Sequence, residues 1–241
     1  ILKLEKYYIK KLIVWLKIAK KMPSNKIIVA LDNNNFSKTI KLVQKLKKEV
    51  YAFKIGYEFF FNFGLKGYKK IYSICPSIFL DLKLHDIPNT VKNGIDALVK
   101  IKPKFTTIHI SGGDVMMKAS GIKKGKTKIL GVSILTSMDN KQTKKYYNQN
   151  NVISLVKKFA KFAKKNNLDG VVCSPKEIKY IRKEVGKNFI IVTPGIRIKS
   201  RIDGDDQKRV ETPKKAIELG ANFLVIGRPI TESKEPLKIL K

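Results

Sequence analysis

The stretch Ile78-Phe79-Leu80-Asp81-Leu82-Lys83-Leu84-His85-Asp86-Ile87-Pro88-Asn89-Thr90 begins as an apolar run and ends in charge. In an extended strand successive side chains alternate faces, so Asp81 and Lys83 are expected to point the same way from the strand's end. Pro88 is expected to stop the strand, with Asn89-Thr90 placed to cap a following helix. Carboxylates at Asp81 and Asp86 and an ammonium at Lys83, set at the mouth of an apolar strand, are costly to hold there. Such a concentration marks a candidate functional site rather than a solvated loop.

Outward from this stretch the chain repeats one beat. Short apolar runs at Ile27–Leu31, Tyr51–Ile55, Ile78–Leu82, Phe105–Ile110, Lys128–Leu135, Asp169–Cys173, Phe189–Thr193 and Phe223–Ile226 are each followed by a segment of helical character. Between the fifth and sixth runs, apolar residues at helical spacing from Val152 to Ala163 predict one long helix. Ser174-Pro175 and Thr212-Pro213 are helix-start signals, the second helix expected to run to Gly220. Nearly continuous apolar runs suit parallel strands covered by helices on their outer side. Eight such units predict a single-domain (β/α)8 TIM barrel over residues 22–241. A doubly wound open sheet is the alternative, but no Gly-rich dinucleotide fingerprint follows the first run.

The barrel reading turns scattered polar residues into one constellation, because active sites of this architecture lie where strands end. Asp32, Lys54, Asp81, Lys83, His109, Thr136, Arg197 and Arg228 all fall at or just after strand C-termini. Pro194-Gly195-Ile196-Arg197 and Gly227-Arg228 occupy the two loops that commonly hold phosphate, where glycine admits close backbone approach and arginine supplies a bidentate fork. The polar stretch from Lys199 to Arg209 is long enough to act as a lid. On the other side, Lys54, Asp81, Lys83 and Asp86 form an alternating array in which opposite charges favour one another's ionised forms. Two lysines in one cluster would compete with a divalent cation. The array suits a reaction in which charge develops on a carbon centre, with Lys83 the natural proton donor.

At 241 residues the chain supports one large core. Its formal net charge of +32 raises nucleic acid as a partner. The lysines are spread along nearly every segment, though, which we read as compositional bias of an AT-rich genome. An RNA-binding protein should show aromatics interleaved with Lys/Arg on one face, and no RRM, KH or zinc signature is present. The two cysteines, Cys75 and Cys173, are too few for a disulfide framework and match no metal spacing, in keeping with a reducing cytoplasm. No run reaches the ~18 apolar residues that span a bilayer. Residues 1–21 are basic and apolar and could lie on a membrane surface as an amphipathic helix. Met22 is the expected natural start, with residues 1–21 an extension outside the barrel.

The segment Asp81-Leu82-Lys83-Leu84-His85-Asp86-Ile87-Pro88-Asn89-Thr90 resembles the signature of bacterial-type orotidine 5′-phosphate decarboxylases. Shorter matches fall in that family's order: Val29–Asp32, Phe53–Gly56, Leu135–Met138, Thr193–Arg197, Asp206-Gln207 and Ile226–Arg228. The resemblance implies decarboxylation of orotidine 5′-phosphate to UMP, the last step of de novo pyrimidine synthesis, with no metal and no organic cofactor. It implies that Lys83 protonates C6 of the pyrimidine, that Asp81 lies near the substrate carboxylate, and that Lys54 with Asp32 holds the ribose hydroxyls. Thr136 would contact the pyrimidine, while Gln207, Gly227 and Arg228, with Arg197 nearby, would bind phosphate. It also implies a cytoplasmic homodimer with shared sites, Asp86, Ile87 and Thr90 reaching into the neighbour's. Neither nucleic acid nor membrane is expected as a partner. The alternatives are a metal-dependent sugar-phosphate synthase or decarboxylase of the same superfamily, and a basic nucleic-acid-binding barrel without activity.

Overall fold

A computed structural model describes residues 24–122, 124–197 and 211–240. The strands are β1 (Ile27–Ala30), β2 (Ala52–Ile55), β3 (Ile78–Leu84), β4 (Phe105–His109), β5 (Lys128–Val132), β6 (Gly170–Val172), β7 (Ile190–Thr193) and β8 (Phe223–Ile226). Each pairs in parallel with the next, and β1 pairs with β8, so the sheet closes into a barrel in sequence order. The expected architecture is present, and the open-sheet alternative is excluded by the β1–β8 pairing.

Closure divides the apolar residues into two bodies. Ile28, Ala30, Ala52, Phe79, Phe105, Leu130, Val192 and Val225 pack together inside the barrel. The alternating residues of the same strands pack outward against the helices, as Ile27, Val29, Phe53, Ile55, Ile78 and Leu80 do. Near the strand starts the lumen is plugged by aromatics: Tyr51 stacks on Phe223 at 4.1 Å, and Phe105 lies 5.5 Å from Phe223 and 5.9 Å from Phe79. Continuing the inner row by two residues on β2 and β3 leads from Ala52 to Lys54 and from Phe79 to Asp81. The same alternation that fills one half of the lumen with apolar side chains therefore brings charge into the other half.

The outer sheath is α1 (Phe36–Leu46), α2 (Tyr57–Ile74), α3 (Pro88–Leu98), α4 (Gly113–Ser120), α5 (Asn140–Tyr147), α6 (Val152–Lys165), α7 (Ile178–Val185), α8 (Pro213–Glu218), α9 (Arg228–Thr231) and α10 (Pro236–Leu240). Side-chain caps set several starts: Asn35 accepts from the Lys38 amide, Asn151 from the Ser154 amide and Thr212 from the Lys215 amide. The helix read from Val152 buries Val152, Leu155, Val156, Phe159, Ala160 and Ala163 as its periodicity requires.

Four local expectations need correction. Strand β3 ends at Leu84, and Pro88 is the first residue of α3 with Ile87 at the cap, so Asn89 and Thr90 lie in the first turn rather than capping it. Strand β5 ends at Val132, which leaves Thr136 in the following loop. Helix α8 stops at Glu218, before Gly220, which takes a left-handed φ of 108°. Helix α5 has no apolar period to betray it. Only Thr143 is buried, and it is started by a capping box between Asp139 and Gln142.

Candidate active site

The C-terminal mouth of the barrel opens into a cavity of about 690 Å³, lined by Asp32, Lys54, Asp81 and Lys83 from the ends of β1, β2 and β3 and by Arg197, Gly227 and Arg228 from the ends of β7 and β8. Strand β2 delivers Lys54, whose ammonium lies 3.1 Å from Asp32 Oδ1 and 3.7 Å from Asp81 Oδ2. Strand β3 delivers Asp81, and the Lys83 ammonium lies 2.8 Å from Asp81 Oδ2. The order in space is Asp32, Lys54, Asp81, Lys83, a chain of alternating charge. Asp81 is 7% exposed and Lys54 9% exposed, whereas the Asp32 side chain is half exposed at the rim.

Burial by itself would push the Asp81 carboxyl upward. The Lys54 and Lys83 ammonium groups, with hydrogen bonds from Lys83 and Thr107, outweigh it and hold the group below its usual range. Asp81 is thus a buried carboxylate kept ionised by its neighbours. Tyr57, at the start of α2, is pushed the other way by burial and by the Asp81 charge. Its hydroxyl donates to the Leu82 carbonyl at 3.1 Å, and the Lys83 ammonium stands 5.6 Å from its ring centroid. Gly56 is required by close approach. A Cβ there would sit 2.6 Å from Asp32 Oδ1 and 2.8 Å from Lys54 Nζ.

Lys83 occupies a left-handed backbone conformation, φ 45°, where the β3–β4 register shifts between Leu80 and Leu84. A lysine at positive φ inside a strand is an uncommon and strained placement. Its amide donates to Thr107 Oγ1 at 2.9 Å, and the same hydroxyl donates to Asp81 Oδ1 at 2.8 Å.

Across the cavity, the loop after β7 turns at Gly195, φ 76°. It is pinned by Arg197 N to Glu211 O at 3.0 Å and Glu211 N to Gly195 O at 3.2 Å. Arg197 is buried, its guanidinium donating to the Ile196 carbonyl at 3.0 Å. Arg228 follows Gly227 at the end of β8. Leu135 and Thr136 close the third side from the β5 loop.

Of the residues singled out by sequence, the structure gathers Asp32, Lys54, Asp81, Lys83, Thr136, Arg197, Gly227 and Arg228 around one cavity. Asp86, Ile87 and Thr90 do not line it: Asp86 accepts from the Ile87 amide at 2.6 Å, and all three are exposed. His109 also stays out of the lining; its ring packs 5.2 Å from His85, and burial lowers its proton affinity, as do His85 and Lys83. Gln207, the polar stretch from Lys199 to Arg209 and residues 1–21 lie outside the described residues. Sequence reading missed Thr107, Tyr57 and Glu58, the last a lining residue. Thr107 was within reach, being two residues beyond Phe105 on the inner face of β4. Among the described residues no cluster of three or more His, Cys, Asp or Glu side chains could hold a metal ion, and no helix is long and apolar enough to cross a membrane.

Residues 25–241 match the family model described as orotidine 5′-phosphate decarboxylase / HUMPS family. The orotidine 5′-phosphate decarboxylase of Wolbachia sp. subsp. Brugia malayi (strain TRS) is 44% identical over 214 residues, covering 88% of this chain and 94% of the relative. That of Ehrlichia chaffeensis (strain ATCC CRL-10679 / Arkansas) is 41% identical over 223 residues, covering 91% and 96%. The crystal structure of orotidine 5′-phosphate decarboxylase from Lactobacillus acidophilus superposes with a TM-score of 0.76 at 38% identity, covering 89% of this chain and 95% of that one. With residues 25–241 matched by the family model and relatives of this identity and coverage, the chain belongs to the orotidine 5′-phosphate decarboxylase / HUMPS family.

Proposed function

We propose that this chain is a carboxy-lyase that converts orotidine 5′-phosphate to UMP in pyrimidine biosynthesis, with Lys83 delivering a proton to C6 of the base. The observation that carries the role of Lys83 is its ammonium 2.8 Å from the buried, ionised Asp81 at the floor of the cavity. The bond from C6 to the carboxylate carbon breaks, carbon dioxide departs, and the electron pair left on C6 takes a proton from Lys83. Asp81 faces the departing carboxylate, and Lys54 with Asp32 takes the ribose hydroxyls. Thr136 meets the pyrimidine. Arg197, Gly227, Arg228 and, from the stretch outside the described residues, Gln207 take the phosphate.

The barrier is large, and each ~1.4 kcal/mol removed from it yields a factor of ten in rate. Binding energy from phosphate and ribose, remote from C6, can be spent on holding the substrate carboxylate against Asp81. Lys54 and Lys83 flank Asp81 at 3.7 and 2.8 Å, a fixed arrangement of the kind in which electrostatics lower a barrier without reorganisation.

The proposal extends to a homodimer in which Asp86, Ile87 and Thr90 complete the neighbour's site. Their exposure beside the site, with Ile87 67% exposed, supports this reading. So does the exposed apolar side chain of Phe61 on α2, 76% exposed. Buried Cys75 and Cys173 thiols fit a reducing cytoplasm as its location.

The decisive experiment follows the loss of orotidine 5′-phosphate absorbance with purified protein, with and without chelator. Turnover indifferent to chelator is expected. Turnover abolished by chelator and restored by a divalent cation would favour a metal-dependent reaction of the sugar-phosphate type instead.

A further inference from the structure

We infer that Thr107 is the positioning residue that sets both halves of the Asp81–Lys83 pair, orienting the carboxylate by donating to it and holding the Lys83 backbone in its left-handed turn by accepting from it. The inference rests on the decarboxylase reading for its kinetic part and on geometry alone for the rest. A threonine hydroxyl has one proton to give and lone pairs to receive with. Here the proton is directed to Asp81 Oδ1 at 2.8 Å, and the Lys83 amide is received at 2.9 Å. Because one oxygen serves both bonds, the carboxylate and the Lys83 backbone cannot move independently.

The need for such a residue follows from the strand. Between Leu80 and Leu84 the β3–β4 register shifts, so the Lys83 amide has no ladder carbonyl opposite it in regular pairing. An amide turned away from water and left without an acceptor is penalised, and positive φ at a lysine adds strain. The neighbouring strand supplies the acceptor from a side chain. Thr107 is fully buried, contacts the carboxylate from the neighbouring strand β4 and does not line the cavity. It acts through Asp81 and Lys83. The charged and titratable groups around Asp81 are Lys54 on β2, Lys83 on its own strand and, bearing on the same cluster, Tyr57 on α2 and His109 on β4.

The test compares Thr107→Val, which keeps the shape and removes the hydroxyl, with Thr107→Ser, which keeps the hydroxyl. Three readouts apply: kcat and KM, the pH profile of kcat, and the Asp81 carboxyl titration by carbon-13 NMR on labelled protein. Thr107→Val is expected to lower kcat about 10- to 100-fold, the loss appropriate to a hydrogen bond to a charged group. KM should stay within about threefold, since the ribose and phosphate contacts are untouched. The Asp81 titration and the acid limb of kcat should both move to higher pH, because a donor to the charged form is lost. Thr107→Ser should restore all three. An unchanged kcat and titration in Thr107→Val would overturn the inference, as would a Thr107→Ser variant as impaired as Thr107→Val. If Thr107→Val does not fold, Thr107→Cys, a weak donor and acceptor, must show the same direction of shift; wild-type behaviour there would equally overturn it. Wild-type protein without decarboxylase turnover would defeat the functional reading, while the NMR titration would still decide the role of Thr107.

Discussion

The Lys83 ammonium and the Asp81 carboxylate meet at 2.8 Å, two residues apart on one strand, with the lysine backbone turned to φ 45°. An ordinary β-strand would carry both side chains on one face at its own repeat. The turn at Lys83 accompanies a local break in the β3–β4 pairing, and the contact is made there.

Lys83→Ala should abolish turnover while UMP binding, measured by titration calorimetry, stays within about threefold of wild type, because only the proposed proton donor is removed. Residual turnover within tenfold of wild type would dismiss Lys83 as the donor.

Asp81 links stability to pH with a definite sign. Its folded-state proton affinity lies below the ordinary value of 3.8, so its stabilising contribution is complete above that value and is lost as pH falls toward the folded pKa. Chemical denaturation of wild type and Asp81→Asn from pH 6 to pH 3 should show the wild type's relative stability declining only below about pH 4. A constant difference across the range would mean that Asp81 titrates normally.

Gly56→Ala should lower kcat/KM about 10- to 100-fold, with most of the change in KM. The new Cβ would contest the space of Asp32 Oδ1 and Lys54 Nζ, which must separate. The stability change should be near 1 kcal/mol or less, since both neighbours are side-chain ends that can shift. Kinetics indistinguishable from wild type would show that the Asp32–Lys54 pair tolerates displacement.

The proposed sharing of sites between subunits makes a mixing prediction. Lys83→Ala and Asp86→Ala should each be inactive alone. After subunit exchange of a 1:1 mixture, about a quarter of sites should be intact, since half the dimers are mixed and each mixed dimer has one unaltered site. No recovery after exchange verified by mass spectrometry would mean that Asp86 and Lys83 of one and the same subunit serve one site, and would defeat the shared-site reading.

The strand count, the strand order and the identity of the charged strand-ends were legible because each rests on local periodicity. Apolar runs separated by amphipathic segments report β and α directly, and alternation assigns inner and outer faces. Helix α5 was not legible, because a polar helix with Thr143 as its one buried residue carries no period. The retreat of β5 to Val132, ahead of Thr136, likewise has no local marker.

The sequence alone determined that Asp32, Lys54, Asp81 and Lys83 stand at the ends of three consecutive parallel strands and that glycine-arginine turns end the last two. What only the tertiary structure decided is which atoms touch. The Lys54 bridge between Asp32 and Asp81 depends on barrel closure and stagger, which sum over all eight strands. The partnership of Thr107 with both Asp81 and Lys83 depends on a register shift between two strands separated by a whole helix. Side-chain alternation is a property of one strand and can be read from it; register is a property of a pair, and no single strand encodes it.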